Sequence, residues 1–164
     1  IQLNSSLTFY IFINMTEQDI FEAQNSWSEG IIKMGQISDD RSSLELYVSD
    51  FLDRLYNFDD QVLFKPTKAK DIQFRNDKNS AISYFIAGND RECDEDTGFA
   101  LSNWSKITFE NKDIILGEEH AIAMGNYTFE NNNLKVKVEF SFGYIKVNGL
   151  VKINLHHSSI PFQG

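Results

Sequence analysis

Two adjacent histidines near the carboxyl end, His156 and His157, are the side chains best suited to chemistry in this 164-residue chain. An imidazole titrates near neutral pH, so it can act as a general acid or base, or orient a ligand by donating a hydrogen bond. Neighbouring residues on a strand point to opposite faces, so one histidine should face the interior and the other solvent or a partner subunit. The alternative is a structural histidine that completes the hydrogen bonds of the last strand. No shared metal site is expected, because side chains on opposite faces cannot chelate one ion.

Glu139 is a third candidate catalytic residue, in the middle of a predicted strand between Lys137 and Ser141 on the same face. If that face lines an apolar interior, the pKa of the carboxyl group rises toward values useful for proton transfer. If the face points outward, Glu139 is a cross-strand partner for a lysine and stabilises the sheet by a few tenths of a kcal/mol. We favour the outward placement.

A small set of aromatic and amide side chains is predicted to line a ligand pocket. An apolar pocket with a few polar groups at its edge is typical of small-molecule sites. Core packing alone also explains the aromatic members, and the amide is proposed as an inward hydrogen-bond donor. The candidates are Trp27, Tyr84, Trp104, Asn126 and Tyr127.

The most acidic stretch of the chain, residues 90–96, is predicted to be a solvated surface loop. Clustered carboxylates suit divalent cations, but the spacing here lacks the glycine and the final glutamate of an EF-hand loop. The only cysteine, Cys93, lies in this stretch. One thiol excludes an internal disulfide and a cysteine-based zinc cluster. We therefore expect neither a metal nor a cofactor.

Length and charge exclude several classes of protein. The length predicts a single domain. Fifteen basic against twenty-four acidic residues give a net charge of −9, which opposes binding to nucleic acid. No apolar run reaches the roughly 18 residues of a membrane span. Residues 1–15 lack the basic start and cleavage site of a secretory signal, so we predict a leader, remnant or disordered segment before a domain at residues 16–163. A cytoplasmic location follows, with export as the alternative.

Apolar spacing predicts helices in the first half of the domain. Thr16 is a suitable N-cap for a long helix that ends near Ile37, and Ser43 for a second helix. Residues 62–64 form a short extended piece, and residues 81–87 are either a helix or a strand.

From Trp104 onward the apolar period changes to two, which predicts strands at residues 104–110, 113–116, 121–130, 134–146 and 150–158. Gly143 inside a strand indicates a bulge or a bend, as a curved sheet requires. Helices followed by an antiparallel meander predict an α+β fold, with the helices covering one face of a curved sheet. The sheet and helices would enclose a cone, and a pocket is expected inside it.

Six segments together resemble a known family. They are LFKPTKA (63–69), SYFIAGN (83–89), EDTGFAL (95–101), AMGNY (123–127), VKVEFSFGY (136–144) and LHHSSIPF (155–162). They are similar to a bacterial family with a cystatin-like fold, in the superfamily named for nuclear transport factor 2, near the association domain of calcium/calmodulin-dependent protein kinase II. The resemblance implies a long N-terminal helix, two smaller helices and a curved antiparallel sheet, usually in a homodimer. It implies no single chemistry, because this fold hosts isomerases, dehydratases, cyclases and assembly domains.

Three functions are therefore compared. The first is a homodimeric domain that binds an unknown small molecule in the cone, with no reaction assigned and enzymatic activity left open. The second is an oligomerisation module that pairs with itself through the outer sheet face, where Lys135, Lys137 and Glu139 would meet a second copy. The third is phosphoribosyl-AMP cyclohydrolase, a label that some relatives carry. That enzyme needs zinc held by several cysteines, and this chain has one. We favour the first.

Overall fold

The structure, a computed structural model, describes residues 14–164. Its elements are α1 (Glu17–Gln36), α2 (Arg41–Leu55), β1 (Leu63–Lys65), α3 (Lys78–Ile86), a short 3₁₀ helix (Phe99–Leu101), β2 (Lys106–Leu116), β3 (His120–Glu130), β4 (Lys135–Val147) and β5 (Leu150–Ser159). The five strands form one sheet in the order β1-β5-β4-β3-β2. The predicted α+β cone of helices on a curved sheet is confirmed, with β1 parallel to β5 and the other neighbours antiparallel.

Two earlier predictions concern the start of the chain. The leader assigned to residues 1–15 falls mostly outside the described residues, and the cytoplasmic location that rests on it stays a prediction. Met15, the last residue assigned to the leader, is buried, and its backbone N–H donates to the carbonyl of Glu118. Within residues 14–164, every helix is too short or too polar to cross a bilayer.

Short polar side chains cap the three helices. Thr16 caps α1 in a capping box with Asp19, as predicted. The prediction that Ser43 caps α2 is wrong, because the helix begins one turn earlier. Asp40 is the cap, and its carboxylate accepts the backbone N–H of Ser43 at 3.1 Å. Of residues 81–87, left open between helix and strand, all but Ala87 belong to α3, which Asp77 caps in the same manner; Ala87 follows its last residue.

The core lies between α1 and the concave face of the sheet. Trp27, in the middle of α1, is buried against four phenylalanine and tyrosine rings of β2, β3 and β4. On the side facing α2, a Cβ built at Gly30 would lie 2.2 Å from the Phe51 ring, so only glycine permits this approach of the two helices. The aromatic rings thus fill most of the cone.

A bulge in β2 replaces the predicted turn at residues 111–112. The prediction of two separate strands there is wrong, because β2 runs through and Lys112 is one extra residue opposite β3. A Cβ built at Gly125 on β3 would lie 2.1 Å from the carbonyl oxygen of Glu110, so the bulge needs glycine as its neighbour. Asn111, at the bulge, exchanges two side-chain hydrogen bonds with Gln24 of α1, at 2.7 and 2.8 Å.

A second irregularity lies between β4 and β5, at the predicted position. The pairing shifts between Gly143 and Tyr144, and the extra residue is Asn154 on β5. Strand β5 buries Ile153 before the bulge and His156 after it, three residues apart instead of two or four. The bulge therefore changes which residues of β5 face the interior.

The acidic stretch is not wholly a solvated loop, and that prediction is corrected for its last two residues. Asp96 is buried and accepts two hydrogen bonds from the guanidinium of buried Arg75, at 2.8 and 2.9 Å. Glu95 accepts the backbone N–H groups of Lys70, Asp71 and Ile72. These contacts fasten the segment that follows β1 to the acidic stretch.

Replacing Asp96 by asparagine should destabilise the fold, because the buried guanidinium of Arg75 loses its only fully buried counter-charge. We expect Asp96→Asn to lower the free energy of unfolding by about 3–5 kcal/mol, as measured by urea denaturation. Asp94→Asn, which changes an exposed aspartate of the same stretch, is the matched control and should leave stability unchanged. Equal stability of the two variants would show that the buried pair does not matter.

Candidate functional site

A small cavity of about 10 Å³ remains inside the cone. It lies between α1, α3, β3, β5 and the two residues that follow β1. Its walls are mainly aromatic, with hydroxyl groups and one imidazole at one side. The lining residues are Trp27, Pro66, Thr67, Tyr84, Phe85, Phe99, Tyr127, His156 and Ser158.

His156 is the histidine that faces the interior, and His157 is exposed on the other face of β5, so the predicted division of the pair is confirmed. The imidazole of His156 stacks on the ring of Phe64 with 4.5 Å between centroids, and its side chain is 3% exposed. Burial lowers the pKa of His156 well below 6.5, and the neighbouring His157 adds to this shift. His156 is therefore a neutral imidazole at physiological pH.

One buried hydroxyl group, itself held by a buried tryptophan, contacts the inner nitrogen of this imidazole. The hydroxyl oxygen of Tyr56, at the end of α2, lies 2.8 Å from Nδ1 of His156. The same oxygen accepts a hydrogen bond from Nε1 of Trp27 at 2.8 Å. Burial raises the pKa of Tyr56 well above 10, so its hydroxyl stays protonated. The contact links α1, α2 and β5 inside the core.

Two hydroxyl groups lie at the outer nitrogen of His156, on the side of the cavity. Ser158 Oγ is 3.0 Å from Nε2, and the hydroxyl of Tyr127 is 3.4 Å from it. Ser158 and Tyr127 are also hydrogen-bonded to each other. Burial raises the pKa of Tyr127, while hydrogen bonds with the Ser158 and Thr67 side chains act to lower it. The result is a cluster of neutral hydroxyl groups around a neutral imidazole.

The other two candidate catalytic residues lie outside the cavity. Glu139 and His157 are on the outer face of the sheet, where Ser159 Oγ donates a hydrogen bond to Glu139 at 2.7 Å. The favoured outward placement of Glu139 agrees with the structure, although its partner is a serine rather than a lysine. Asn126, predicted to donate inward, lines a groove on the same outer face instead. Of the three candidate catalytic residues, only His156 reaches the cone.

Three of the four aromatic candidates line the cavity, and one lies outside it. Trp27, Tyr84 and Tyr127 line the cavity. Trp104 does not, because it packs behind Phe99 and donates its indole N–H to the Phe99 carbonyl at 3.0 Å. Burial raises the pKa of Tyr84, whose hydroxyl oxygen accepts the backbone N–H of Lys68 at 3.4 Å. Tyr84 thus joins α3 to the segment that carries Thr67.

Three site residues escaped the sequence analysis. Ser158 follows His156 by two positions, so strand periodicity alone places it on the same face. Tyr56 directly follows α2, and Thr67 lies in a segment without periodicity, where no local pattern indicates a site.

The arrangement suits a small, uncharged or singly charged molecule with oxygen atoms that accept hydrogen bonds. Hydroxyl groups in an apolar enclosure need partners, and a bound ligand can supply them. In residues 14–164, no group of three or more His, Cys, Asp or Glu side chains is placed to hold a metal ion. The chemistry available within the cavity is therefore hydrogen bonding and proton transfer by neutral groups.

The chain matches a family model described as metal-independent carbonic anhydrase over residues 18–160. A metal-independent carbonic anhydrase of Nostoc sp. is 32% identical over 155 residues, which cover 91% of this chain and 75% of that protein. A crystal structure of a cyanobacterial iota-carbonic anhydrase in complex with bicarbonate is 29% identical, with a TM-score of 0.86 and coverage of 92% of this chain and 95% of that one.

More distant structures show the fold alone. One assigned to the calcium/calmodulin-dependent protein kinase II association domains, from Xanthomonas campestris, is 18% identical, covers 92% of this chain and 91% of its own, and has a TM-score of 0.66. A nuclear transport factor 2-like protein from Shewanella oneidensis is 18% identical over 88% of this chain and 99% of its own, with a TM-score of 0.57. These likenesses agree with the predicted cystatin-like fold.

The neutral, buried state of His156 predicts how stability depends on pH. The unfolded chain binds a proton at this histidine below about pH 6.5 and the folded chain does not, so acid favours unfolding. Relative to His156→Gln, the wild type should lose about 1–2 kcal/mol of unfolding free energy between pH 6.5 and 5. Denaturation by urea at several pH values measures the difference. His157→Gln, on the exposed neighbour, should keep the wild-type slope, and a wild type parallel to His156→Gln would contradict the assignment.

Proposed function

The chain belongs to the metal-independent carbonic anhydrase family, and we propose that it interconverts carbon dioxide and bicarbonate in the cavity inside the cone. The observation that carries the proposal is the cluster of Ser158, Tyr127 and neutral His156 at the wall of a small aromatic cavity. The cyanobacterial relative that was solved with bicarbonate supports the same ligand. The function left unassigned by the sequence is thereby made specific.

The two sides of the cavity suit the two forms of the substrate. Carbon dioxide is small and has no net dipole, so it enters an aromatic enclosure at little cost in lost hydration. Bicarbonate is an anion whose oxygens accept hydrogen bonds from the Ser158–Tyr127 pair, which has one hydroxyl hydrogen to spare, and from Thr67. Hydrogen bonds from a neutral donor to an anion are about twice as strong as those between neutral groups. The hydroxyl side therefore stabilises the charged species.

In the proposed reaction, a water molecule held by these hydroxyl groups attacks the carbon of carbon dioxide. A new carbon–oxygen bond forms, and one carbon–oxygen π bond opens to place a negative charge on oxygen. The hydroxyl donors stabilise this charge as it develops. The water releases one proton, which bulk water or buffer accepts, and bicarbonate leaves. The residues of this chain act by position and by hydrogen bonding.

The family match does not support the three functions compared from the sequence equally. The family match favours carbonic anhydrase over phosphoribosyl-AMP cyclohydrolase. Self-association remains compatible with carbonic anhydrase activity, because the site is inside the cone and the proposed interface is outside it.

We also propose that the chain forms a homodimer through the outer sheet face. Ile122 and Met124 of β3 are about half exposed there, beside Lys137 and Glu139 of β4. A two-fold axis through this face would bury the apolar side chains and place Lys137 opposite Glu139 of the second copy. A partner of this kind satisfies both the apolar and the charged groups of the face.

Removing the serine hydroxyl should abolish most of the activity. We expect Ser158→Ala to slow carbon dioxide hydration about 100-fold, because the hydroxyl pair that presents a donor to the developing negative charge is broken. Stopped-flow mixing with a pH indicator measures the rate. Ser159→Ala changes the adjacent serine on the outer face, and it should retain the wild-type rate.

Prolonged dialysis against a chelator should also leave the wild-type rate unchanged. A Ser158→Ala rate equal to the wild-type rate would exclude this cavity as the site.

The homodimer predicts a mass of twice 18.9 kDa by light scattering at micromolar concentration. Met124→Glu should give the monomer, because a carboxylate would be buried at the apolar part of the interface. Leu46→Glu, which changes a residue exposed on α2, is the control and should remain dimeric. A monomeric wild type would exclude the proposed dimer.

A further inference from the structure

The indole of Trp27 has one polar group, an N–H that can only donate a hydrogen bond. It donates to the hydroxyl oxygen of Tyr56 at 2.8 Å, and both residues are fully buried. The other partner of that hydroxyl is Nδ1 of His156, also at 2.8 Å. The contact with Trp27 uses the oxygen as an acceptor, so the hydroxyl hydrogen of Tyr56 is left for His156.

The direction of this contact determines the tautomer of His156. If Tyr56 donates to Nδ1, that nitrogen has no hydrogen and the neutral ring carries its hydrogen on Nε2. In the other tautomer, Nδ1–H would point at the Tyr56 oxygen and the tyrosine hydrogen would have no acceptor. A buried hydroxyl hydrogen without an acceptor is strongly unfavourable. The Nε2–H tautomer is therefore selected.

The same direction of hydrogen-bond donation continues from His156 toward the cavity. Nε2–H of His156 donates to Ser158 Oγ at 3.0 Å, so the serine hydrogen points away from the imidazole. Ser158 and Tyr127 share one hydrogen bond in which either hydroxyl can be the donor, so the other hydroxyl hydrogen of the pair is left for a ligand in the cavity. Hydrogen-bond donation thus runs from Tyr56 through His156 toward the cavity.

We propose that Trp27 and Tyr56 are positioning residues that fix the tautomer of His156, so that the cavity presents hydrogen-bond donors to its ligand. The proposal rests on the proposed function and deepens it by naming the ligand class, a small oxyanion whose oxygens accept hydrogen bonds. His156 acts on this ligand through Ser158 and Tyr127, as a donor and not as a base. A ligand that offers only donors finds no acceptor at this wall.

The tautomer is measured directly by nitrogen NMR on protein labelled with ¹⁵N-histidine. Long-range proton–nitrogen spectra distinguish a ring nitrogen that carries hydrogen from one that does not. The chain has three histidines, and the signals that disappear in His156→Gln are those of His156. The wild type, without ligand, should show hydrogen on Nε2 and none on Nδ1 of His156.

Two variants test the cause. Tyr56→Phe removes the donor to Nδ1 and should give a mixture of tautomers. Tyr144→Phe removes a buried tyrosine hydroxyl that does not contact His156, and it should leave the tautomer unchanged. Binding of ¹³C-bicarbonate should weaken about tenfold in Tyr56→Phe and stay unchanged in Tyr144→Phe, because the hydroxyl donors lose their fixed direction.

Several results would overturn the proposal. Hydrogen on Nδ1 in the wild type would overturn it without any variant, so the test does not depend on Tyr56→Phe folding. An unchanged tautomer in folded Tyr56→Phe would overturn the role of Tyr56. A wild type with the expected tautomer that neither binds bicarbonate nor hydrates carbon dioxide would instead refute the proposed function, and would leave the tautomer assignment in place.

Discussion

The hydrogen bonds among Trp27, Tyr56 and His156 lie where water cannot replace them, and this constraint governs the interior of the protein. The three side chains come from α1, the end of α2 and β5, so their contact fixes how the helices sit against the sheet. Each polar group in such an environment must find its partner within the fold. This series of hydrogen-bonded side chains ends at the cavity, where a ligand can supply the last partner. Architecture and site are therefore consequences of the same bonds.

The sequence predicted what depends on local pattern. Strand periodicity placed one of His156 and His157 inside and the other outside without showing which, and the cap at Thr16 marked the start of α1. The same periodicity places Ser158 inside, so that residue was within reach of the sequence. Tyr56 was not, because a tyrosine after a helix has no local feature that shows which distant histidine it will meet. The contact spans 100 residues and exists only after the chain has folded.

Within the acidic stretch, residues 90–96, the burial of Asp96 depends on a partner that is distant in the sequence. A run of carboxylates is normally solvated, because desolvation of an unpaired charge is unfavourable. Asp96 is buried because Arg75, 21 residues earlier, is buried with it, and neither position signals this alone. The pair draws the segment after β1 over the aromatic interior, and Thr67 belongs to that segment. A charged stretch that offered no site of its own thus holds one wall of the cavity in place.

The bulge at Asn154 has a consequence for how this protein can change over generations. With that residue present, Ile153 and His156 both face inward, although they are three positions apart. Deletion of that one codon would leave Ile153 and His156 two positions apart, and strict alternation would keep both on the inner face. The strand would lose the bend that the bulge gives it, but not the orientation of its cavity residues. Deletion of the codon for His157 would act differently, because His156 and Ser158 would become neighbours and would point to opposite faces. The reading frame of β5 therefore tolerates the loss of one position at the bulge and not between the two cavity residues.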